Sequence, residues 1–425
     1  MIRTLVPSRV LVGFLLLAGI LGVFGRVAEF EFVAYDDDVY VVENPHVRDG
    51  FSPAGVKWAF TTTRSGHWHP LTWLSHMLDC ELFGLNPAAH HLSNLFLHLL
   101  NVLLLFLLLH RMTGAFWRSA LVAGLFAIHP LNVEPVAWVS SRKDLLSTLF
   151  FFLPLYAYLR YASNRRMRAY VLCLVLFILG ALSKSMVLTL PCLLVLLDVW
   201  PLERLPWART RETAACPSSR AWVLEKAPFF LVAGVFAFVA VVAMKGGVRE
   251  VAEGASSGLF FELKRVSRGL VVIATYLYKT PWPHSLTALY PVERVLPFWK
   301  PLAAAVLLLA VSWAVVRSKR GPWILGWFWF LITLLPFSGI VNAGPAIPSD
   351  RYAYVPTIGL FILTTWAGAD FAERFRLPRV LAGAAVAGAL FALALSARQA
   401  LDPWRTSQAL FQQAIRVHPN NAKAH

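Results

Sequence analysis

Long apolar segments recur along the whole chain and alternate with short polar segments. A helix needs about 20 apolar residues to cross a hydrocarbon core about 30 Å thick, and eleven segments approach or reach that length. The eleven predicted spans are residues 9–26, 89–110, 118–134, 145–160, 169–183, 186–200, 227–244, 300–316, 322–339, 352–370 and 379–397. The pattern predicts an all-α fold, a polytopic transmembrane helical bundle of about eleven spans.

The direction of the spans follows from the basic residues in the loops, because cytoplasmic loops carry an excess of Arg and Lys. The basic clusters all fall on one side if the N-terminus is cytoplasmic and the segment 263–281 does not cross the membrane. That segment combines four basic residues with an apolar stripe, which favours an amphipathic helix on the outer surface. This topology places the C-terminus outside the cytoplasm, together with two long loops, 27–88 and 245–299.

Composition agrees with a membrane protein. The 425 residues are 58% hydrophobic and only 15% charged, and the mean hydropathy is +0.60. A net charge of +16 would suggest nucleic acid as the partner of a soluble protein. Here the basic residues occupy short loops between apolar segments, so no nucleic-acid partner is expected. The four cysteines are scattered and lack the spacing of a metal site or a disulfide framework.

Chemistry is expected on the outer face, because long loops in compact proteins tend to carry function. The first outer loop contains Tyr35-Asp36-Asp37-Asp38. Adjacent carboxylates repel one another, and two functional reasons to keep them are proton transfer from an incoming hydroxyl and ligation of a divalent metal. A solvated acidic turn is the structural alternative. Asp36 and Asp37 are candidate catalytic residues, and Glu134, at an outer helix junction, is a candidate assistant.

Histidines cluster in the same loop and at the start of the second predicted span. His91, Asn94 and His98 share one helix face, and a polar face on a membrane helix has to meet protein or water. Interhelical hydrogen bonding and substrate binding are both open, and His69 and His91 are the candidates for substrate binding. No tight metal-ligand motif is present, so no metal ligand is assigned, although a divalent metal remains an option.

Three cations stand at the predicted outer ends of spans, namely Arg142, Lys184 and Arg351. A charge at that depth is costly and usually functional, and an Arg can bind a phosphate through two hydrogen bonds. Together with Tyr352 they predict a binding site for a lipid phosphate. The alternatives are snorkelling anchors and a structural ion pair of Arg142 with Asp144 or Glu134.

Six segments, in order along nearly the whole chain, carry a resemblance to a known family. They are YDDDVYVVENPHV (35–47), HWHPLTWLSHMLDCELFGLNPAAHHLSNLFLH (67–98), FAIHPLNVEPVAWVSSRKDLLS (126–147), LSKSMVLTLPCLLVLLDVW (182–200), LYKTPWPHSLTALYP (277–291) and SDRYAYVPTIGL (349–360). The chain resembles the membrane portion of the TMTC-like, tetratricopeptide-containing proteins of the GT-C class of glycosyltransferases.

The resemblance implies a donor sugar on a polyprenyl or dolichyl phosphate and an acidic base in the first outer loop, which is Asp36 or Asp37 here. The expected activity is that of an O-mannosyl-type glycosyltransferase whose acceptor is a hydroxyl, on protein Ser or Thr, at the non-cytoplasmic face. Ser185 and Asp350 depart from the family pattern, which has Glu or Gln and Glu there, and both departures bear on substrate choice. The rival functions are a transporter or flippase of a lipid-linked sugar and a non-catalytic anchor for tetratricopeptide repeats.

The C-terminal residues resemble the second helix of a tetratricopeptide repeat followed by its Pro-Asn linker. The expected division is therefore a GT-C-like transmembrane domain at 1–400 and the start of a truncated repeat region at 401–425. The Arg- and Ala-rich loops favour a bacterial inner membrane over the endoplasmic reticulum.

Overall fold

The fold is an assembly of helices. The computed structural model describes residues 5–205, 217–248, 259–291, 296–340 and 348–422, and within these ranges there is no β-strand. This confirms the all-α prediction. The α-helices are α1 (Leu5–Phe24), α2 (Pro45–Arg48), α3 (Pro53–Thr61), α4 (Pro70–Phe83), α5 (Pro87–Thr113), α6 (Phe116–Ile128), α7 (Val133–Ala137), α8 (Arg142–Asn164), α9 (Met167–Ala181), α10 (Leu190–Val199), α11 (Ser219–Val248), α12 (Leu259–Lys279), α13 (Trp299–Ser318), α14 (Gly321–Leu334), α15 (Pro356–Arg374), α16 (Arg379–Leu401) and α17 (Ser407–Val417).

Helices occupy all eleven predicted spans, but their lengths differ. Among the described residues, six stretches are long and apolar enough to cross a membrane, and a seventh arises if α6 and the segment Pro130–Ala137 form one span bent by 56°. The six stretches are Ser8–Glu29, Pro87–Thr113, Val139–Asn164, Ser219–Met244, Trp299–Ser318 and Arg379–Arg405. The chain is therefore a multi-pass membrane protein, and the count of eleven spans remains a prediction.

The break after α6 creates the irregular backbone around which the candidate site is built. His129 is extended, as a residue before proline tends to be, and Pro130 cannot continue α6 because it lacks an N–H donor. Two 3₁₀ turns and the short α7 follow before α8 begins. Every residue from 126 to 148 is buried, which agrees with the rule that irregular backbone at membrane depth is enclosed by protein.

The first outer loop folds into a small layer of helices, α2 to α4, over the α7–α8 junction. Tyr40, Trp73 and Met77 form its buried core together with Val139, so the layer packs directly on the turn that precedes α8. Ser52 caps α3 by accepting a hydrogen bond from the Gly55 N–H at 3.0 Å. The acidic turn therefore rests on a folded support.

A glycine pair joins α14 to α15. A Cβ atom on Gly326 would overlap the carbonyl oxygen of Gly359, and a Cβ on Gly359 would overlap that of Gly326. Small residues allow membrane helices to approach this closely. The contact fixes α15, and the 3₁₀ turn just before it carries Arg351.

A largely buried cluster of ion pairs links α8, α10 and α11 at the end of the bundle that the charge rule predicts to be cytoplasmic. Arg204 pairs with Glu225 at 2.6 Å and with Asp198 at 3.1 Å, and Lys226 pairs with Asp198 at 2.8 Å. The Tyr158 hydroxyl donates to Asp198 at 2.6 Å. Arg165, which is partly exposed, also reaches Glu225 at 3.3 Å. Three cations thus meet two buried carboxylates, and this cluster is a structural clamp.

Two further elements belong to the fold. The amphipathic helix α12 packs against α13 and is not among the candidate spans found in the described residues; its expected place on the outer membrane surface remains a prediction. The repeat-like helix α17 lies on the outer loops. Ser407 Oγ accepts a hydrogen bond from the Ala34 N–H at 2.8 Å, and Asn421 donates to the Leu289 carbonyl at 3.0 Å. The predicted division between 1–400 and 401–425 remains a prediction.

Candidate active site

Asp37 anchors the acidic turn to the α7–α8 junction. Its buried carboxylate accepts hydrogen bonds from the Val33 N–H at 3.0 Å, the Ser140 N–H at 2.9 Å and the Ser140 hydroxyl at 2.6 Å. Burial raises the pKa of Asp37 to about 6, and these donors oppose the rise. Both carboxylate oxygens are occupied, so this side chain holds the loop in place.

Asp36 differs from its neighbour in backbone and in environment. Its φ of 109° lies in the region that favours glycine, and such strain costs about 1–3 kcal/mol and clusters at functional sites. Within the described ranges, no hydrogen bond or ion pair engages its carboxylate. One side of Asp36 reaches solvent; enclosure from the other sides raises its pKa, whereas the cations Lys143 and Arg351 lower it. Asp36 is therefore an acid that faces two cations and is free to accept a proton.

Lys143 faces Asp36 from the start of α8. Its ammonium group donates to the Tyr40 hydroxyl at 3.1 Å and lies 4.1 Å from the centre of the Tyr40 ring and 5.3 Å from that of Trp138. The side chain is buried, and in the described part of the chain no carboxylate lies within ion-pair distance of it. A buried cation without a carboxylate partner is costly, so this position favours an anionic ligand.

Lys184 lies in the same cluster, in the turn before α10. Its ammonium group pairs with Asp144 at 2.5 Å. It stands 5.2 Å from the centre of the Phe337 ring and 5.7 Å from that of Tyr352, and these two rings stack on each other with centres 4.6 Å apart. Asp144 thus holds the Lys184 ammonium group beside the rings of Phe337 and Tyr352.

Arg351 is held by Glu134. The Glu134 carboxylate accepts hydrogen bonds from the Arg351 guanidinium at 2.5 Å and from the Arg351 backbone N–H at 3.0 Å. It also accepts one from the Ser349 hydroxyl at 3.1 Å. The guanidinium also lies over the rings of Trp138 and Tyr352, at 5.1 and 4.9 Å. The oxygens of Glu134 are occupied, so its place is that of a positioning residue for Arg351; its predicted assistance to the aspartates stays a prediction.

The structure places Arg142 outside this cluster. It pairs with Asp79 at 2.7 Å, donates to the His90 carbonyl and the Ser75 hydroxyl at 3.0 Å each, and also donates to Asn94. Consecutive residues of a helix point about 100° apart, so Arg142 and Lys143 face different neighbours. Arg142 is thus in a structural ion pair, but with Asp79 rather than with the predicted Asp144 or Glu134, which instead bind Lys184 and Arg351. Lys143 lies in the cluster where Arg142 was expected.

The two predicted histidines also separate. His69 lies beside the cluster, where its ring stacks on Tyr40 with centres 5.7 Å apart, and burial lowers its pKa well below the ordinary value. His91 is buried away from it and hydrogen-bonds the Glu31 carbonyl at 3.2 Å, as the interhelical alternative expects. Among the described residues, no group of three His, Cys, Asp or Glu side chains is arranged to hold a metal ion.

Sequence reasoning missed Lys143 and the aromatic residues around it, Tyr40 and Trp138. Lys143 directly follows Arg142 in the same polar segment, but the two side chains lie on different faces of α8, and only that of Lys143 lies in the cluster beside Asp36. Tyr40 lies four residues after Asp36, and only the fold of the outer loop brings its hydroxyl to Lys143.

Comparison with known proteins extends the resemblance. The chain is 26% identical to Protein O-mannosyl-transferase TMTC4 of Mus musculus and 25% identical to that of Homo sapiens, over 95% of this chain and 61% of each relative. It is 32% identical to Protein O-mannosyl-transferase Tmtc1 of Drosophila melanogaster over 32% of this chain and 16% of that relative. No family model and no solved structure matches. These relatives confirm the TMTC-like resemblance, and the chain spans about 61% of the length of the first two.

Proposed function

We propose that this TMTC-like chain is a glycosyltransferase that moves a sugar from a polyprenyl-phosphate carrier to a protein Ser or Thr hydroxyl on the non-cytoplasmic face. The arrangement that supports it is the carboxylate of Asp36, which has no partner among the described residues and faces the cations Lys143 and Arg351, with Lys184 in the same cluster. The names of the relatives, all protein O-mannosyl-transferases, favour mannose as the sugar. The fold proposed for the membrane portion is GT-C-like, with eleven spans.

The three cations form the proposed site for the donor phosphate. Lys143 has no carboxylate partner among the described residues, whereas Lys184 and Arg351 are fixed by Asp144 and Glu134. A lysine has three donors and an arginine five, so the paired cations keep donors for phosphate oxygens. Cations placed in advance where negative charge develops are an efficient way to stabilise a departing phosphate.

Asp36 is the proposed general base. It accepts the proton of the acceptor hydroxyl while the oxygen forms a bond to the anomeric carbon of the sugar. The bond from that carbon to the phosphate oxygen breaks, and the lipid phosphate leaves with its electron pair, stabilised by the cations. One displacement of this kind inverts the anomeric configuration. General-base catalysis typically contributes 10²–10⁴-fold in rate.

The aromatic side chains give the site its walls. Tyr40 and Trp138 enclose Lys143, and Tyr352 and Phe337 enclose Lys184. Their rings exclude water from the cations, which strengthens electrostatic attraction to a phosphate. They also offer apolar surfaces to the sugar ring and to the first units of the lipid chain.

The test is sugar transfer by the purified protein in detergent, with a panel of polyprenyl-phosphate sugars and Ser/Thr peptides. Wild type is compared with Asp36→Asn and with Asp49→Asn, a control that removes an exposed acid from the same outer loop. We expect transfer in wild type and Asp49→Asn, and a loss of at least 100-fold in Asp36→Asn.

Two results contradict the proposal. Equal transfer by Asp36→Asn and wild type would remove Asp36 as the base. Absence of transfer from every donor, with donor binding that survives Asp36→Asn, would instead favour a transporter of the lipid-linked sugar, since a transporter needs the cations but no base.

A further inference from the structure

The carboxylate of Asp36 has no bond of its own to fix it in the described part of the chain, so its position depends on its backbone and on its two neighbours. Asp37, on one side, is anchored by three hydrogen bonds. Tyr35, on the other side, stacks its ring on Trp138 with ring centres 4.8 Å apart, and its hydroxyl donates to the Ala288 carbonyl at 3.2 Å. The Trp138 ring is therefore part of the support of Asp36.

The ring of Trp138 is itself held by packing. It is buried, and its indole N–H has no hydrogen-bond partner among the described residues, so contacts with neighbouring side chains fix its orientation. One of these neighbours is Trp404, whose ring centre lies 6.1 Å from that of Trp138. Trp404 is only 5% exposed and belongs to the same apolar core. It thus packs against the ring on which Tyr35 stacks.

The chain around Trp404 is also tied to the segment that leads into the acidic turn. The Arg405 carbonyl accepts a hydrogen bond from the Glu31 N–H at 3.1 Å, and Ser407 Oγ accepts one from the Ala34 N–H at 2.8 Å. The segment that follows α16 therefore contacts both the approach to the acidic turn and the aromatic support of that turn.

We propose that Trp404 is a positioning residue for Asp36. By packing against Trp138 it keeps the Tyr35 ring in place, and the backbone of Asp36 follows that of its neighbour. The inference rests on the proposed transferase function and adds a residue that acts through the base rather than on the substrate. It gives the segment that follows α16 a part in catalysis.

The cations of the site depend less on this packing, because each has a polar anchor elsewhere. Lys143 donates to the Tyr40 hydroxyl at 3.1 Å, and Arg351 is bound to Glu134. Loss of the Trp404 ring should therefore disturb the proposed base more than the proposed donor site, and so lower kcat more than it raises the donor KM.

The experiment measures kcat and the donor KM of the full chain for wild type, Trp404→Ala, Trp404→Phe and a matched control, Trp366→Ala. Trp366 belongs to the same apolar core and is also 5% exposed. It lies ten residues into α15, about 15 Å along that helix from its first residue, where Arg118 stands over its ring. Both alanine variants remove the same buried bulk, so thermal unfolding is recorded for each and rates are compared below the lower Tm.

A misplacement of about 1 Å can cost roughly 100-fold in rate, so we expect Trp404→Ala to lower kcat at least tenfold, with the donor KM within twofold of wild type. Trp404→Phe keeps a ring against Trp138 and should recover most of the loss, and Trp366→Ala should keep the wild-type kcat. If Trp404→Ala does not fold, Trp404→Leu takes its place, because it keeps more apolar bulk but lacks the ring.

A double variant tests whether Trp404 acts through Asp36. The effects of independent sites multiply in the rate, whereas those of residues that act as a unit do not. Trp404→Ala should therefore change the residual transfer of Asp36→Asn by less than twofold.

The outcomes separate the two proposals. A wild-type kcat in Trp404→Ala, an equal loss of kcat in Trp366→Ala, or a further tenfold loss in the double variant would each overturn the positioning role and leave the transferase standing. Absence of transfer from every donor in wild type refutes the transferase, and the positioning role with it.

Discussion

Replacing Asp36 and Asp37 one at a time by alanine is expected to separate catalysis from folding. Asp36 is free and faces the cations, whereas Asp37 is buried and accepts three hydrogen bonds. Asp36→Ala should therefore reduce transfer by 10²–10⁴-fold and change stability by no more than about 0.5 kcal/mol, as for other substitutions of exposed side chains. Asp37→Ala should destabilise the protein.

The magnitude for Asp37 follows from its partners. Its removal leaves three buried donors without an acceptor, at about 2 kcal/mol each or about 6 kcal/mol together. Part of this is offset. The pKa of Asp37 is raised from an ordinary 3.8 to about 6 in the folded protein, so ionising this carboxyl within the fold costs about 3 kcal/mol of stability. The expected net loss at pH 7 is about 3 kcal/mol.

The pH dependence has a definite sign. Since the folded pKa of Asp37 is raised, the native state binds more protons than the unfolded state between pH 3.8 and 6, and the stability contributed by this group falls as pH rises through that window. Asp37→Ala lacks this carboxyl group and therefore lacks this pH dependence of stability. The difference between wild type and Asp37→Ala should therefore widen from about 3 kcal/mol at pH 7 to about 6 kcal/mol near pH 4.

The assay is thermal unfolding of the detergent-solubilised protein at pH 7 and near pH 4, with transfer rates measured on the same samples. A loss of about 3 kcal/mol lowers Tm by roughly 6–12 °C on the scaling for domains of 150–250 residues. The reasoning is refuted if Asp37→Ala keeps the wild-type Tm at both pH values and loses transfer, or if Asp36→Ala loses stability and keeps transfer.

Three further predictions concern charge. Arg142→Met should lower stability by about 3–5 kcal/mol by stranding a buried partner while the donor KM is unchanged; Lys143→Met should raise the donor KM at least tenfold without lowering Tm. Transfer should fail at acid pH as Asp36 becomes protonated. Since Lys143 lowers the pKa of Asp36, the acid limb of the kcat/KM profile should move to higher pH in Lys143→Met. An unchanged acid limb would contradict the electrostatic interaction between Lys143 and Asp36. Glu225→Gln should lower stability by about 3–5 kcal/mol, whereas the exposed control Glu373→Gln should cost at most about 1 kcal/mol; equal Tm values would contradict the clamp.

Some features of this protein follow from local pattern alone. A run of about 20 apolar residues identifies a span whatever surrounds it, and helices lie at all eleven predicted segments. The segments that hold the candidate site residues also stand out in the sequence, because carboxylates and cations are rare in such a sequence. The resemblance to a family added the direction of the chemistry, from lipid phosphate to a hydroxyl.

The roles within each segment depend on tertiary structure. The 100° step along α8 and the position of Asp79 decide which of Arg142 and Lys143 lies in the cluster beside Asp36. The position of Asp79 relative to α8 cannot be read from any local sequence pattern. The division of work between Asp36 and Asp37 depends on a positive φ at Asp36, and Ser140, the main partner of Asp37, lies 103 residues away. Such pairings are formed by the fold, so sequence reasoning treated the acids as equivalent.

The bond between Glu134 and Arg351 joins residues 217 positions apart, and this bears on the order in which the protein is made. A ribosome delivers Asp36, Lys143 and Lys184 to the membrane well before Arg351, and chains fold from the N-terminus as they emerge. Until the turn before α15 arrives, Glu134 lacks its counter-charge and the proposed phosphate site lacks one of its three cations. A nascent chain therefore holds the proposed base and most of the proposed donor site before that site is complete, so the proposed transfer requires insertion of the chain through Arg351.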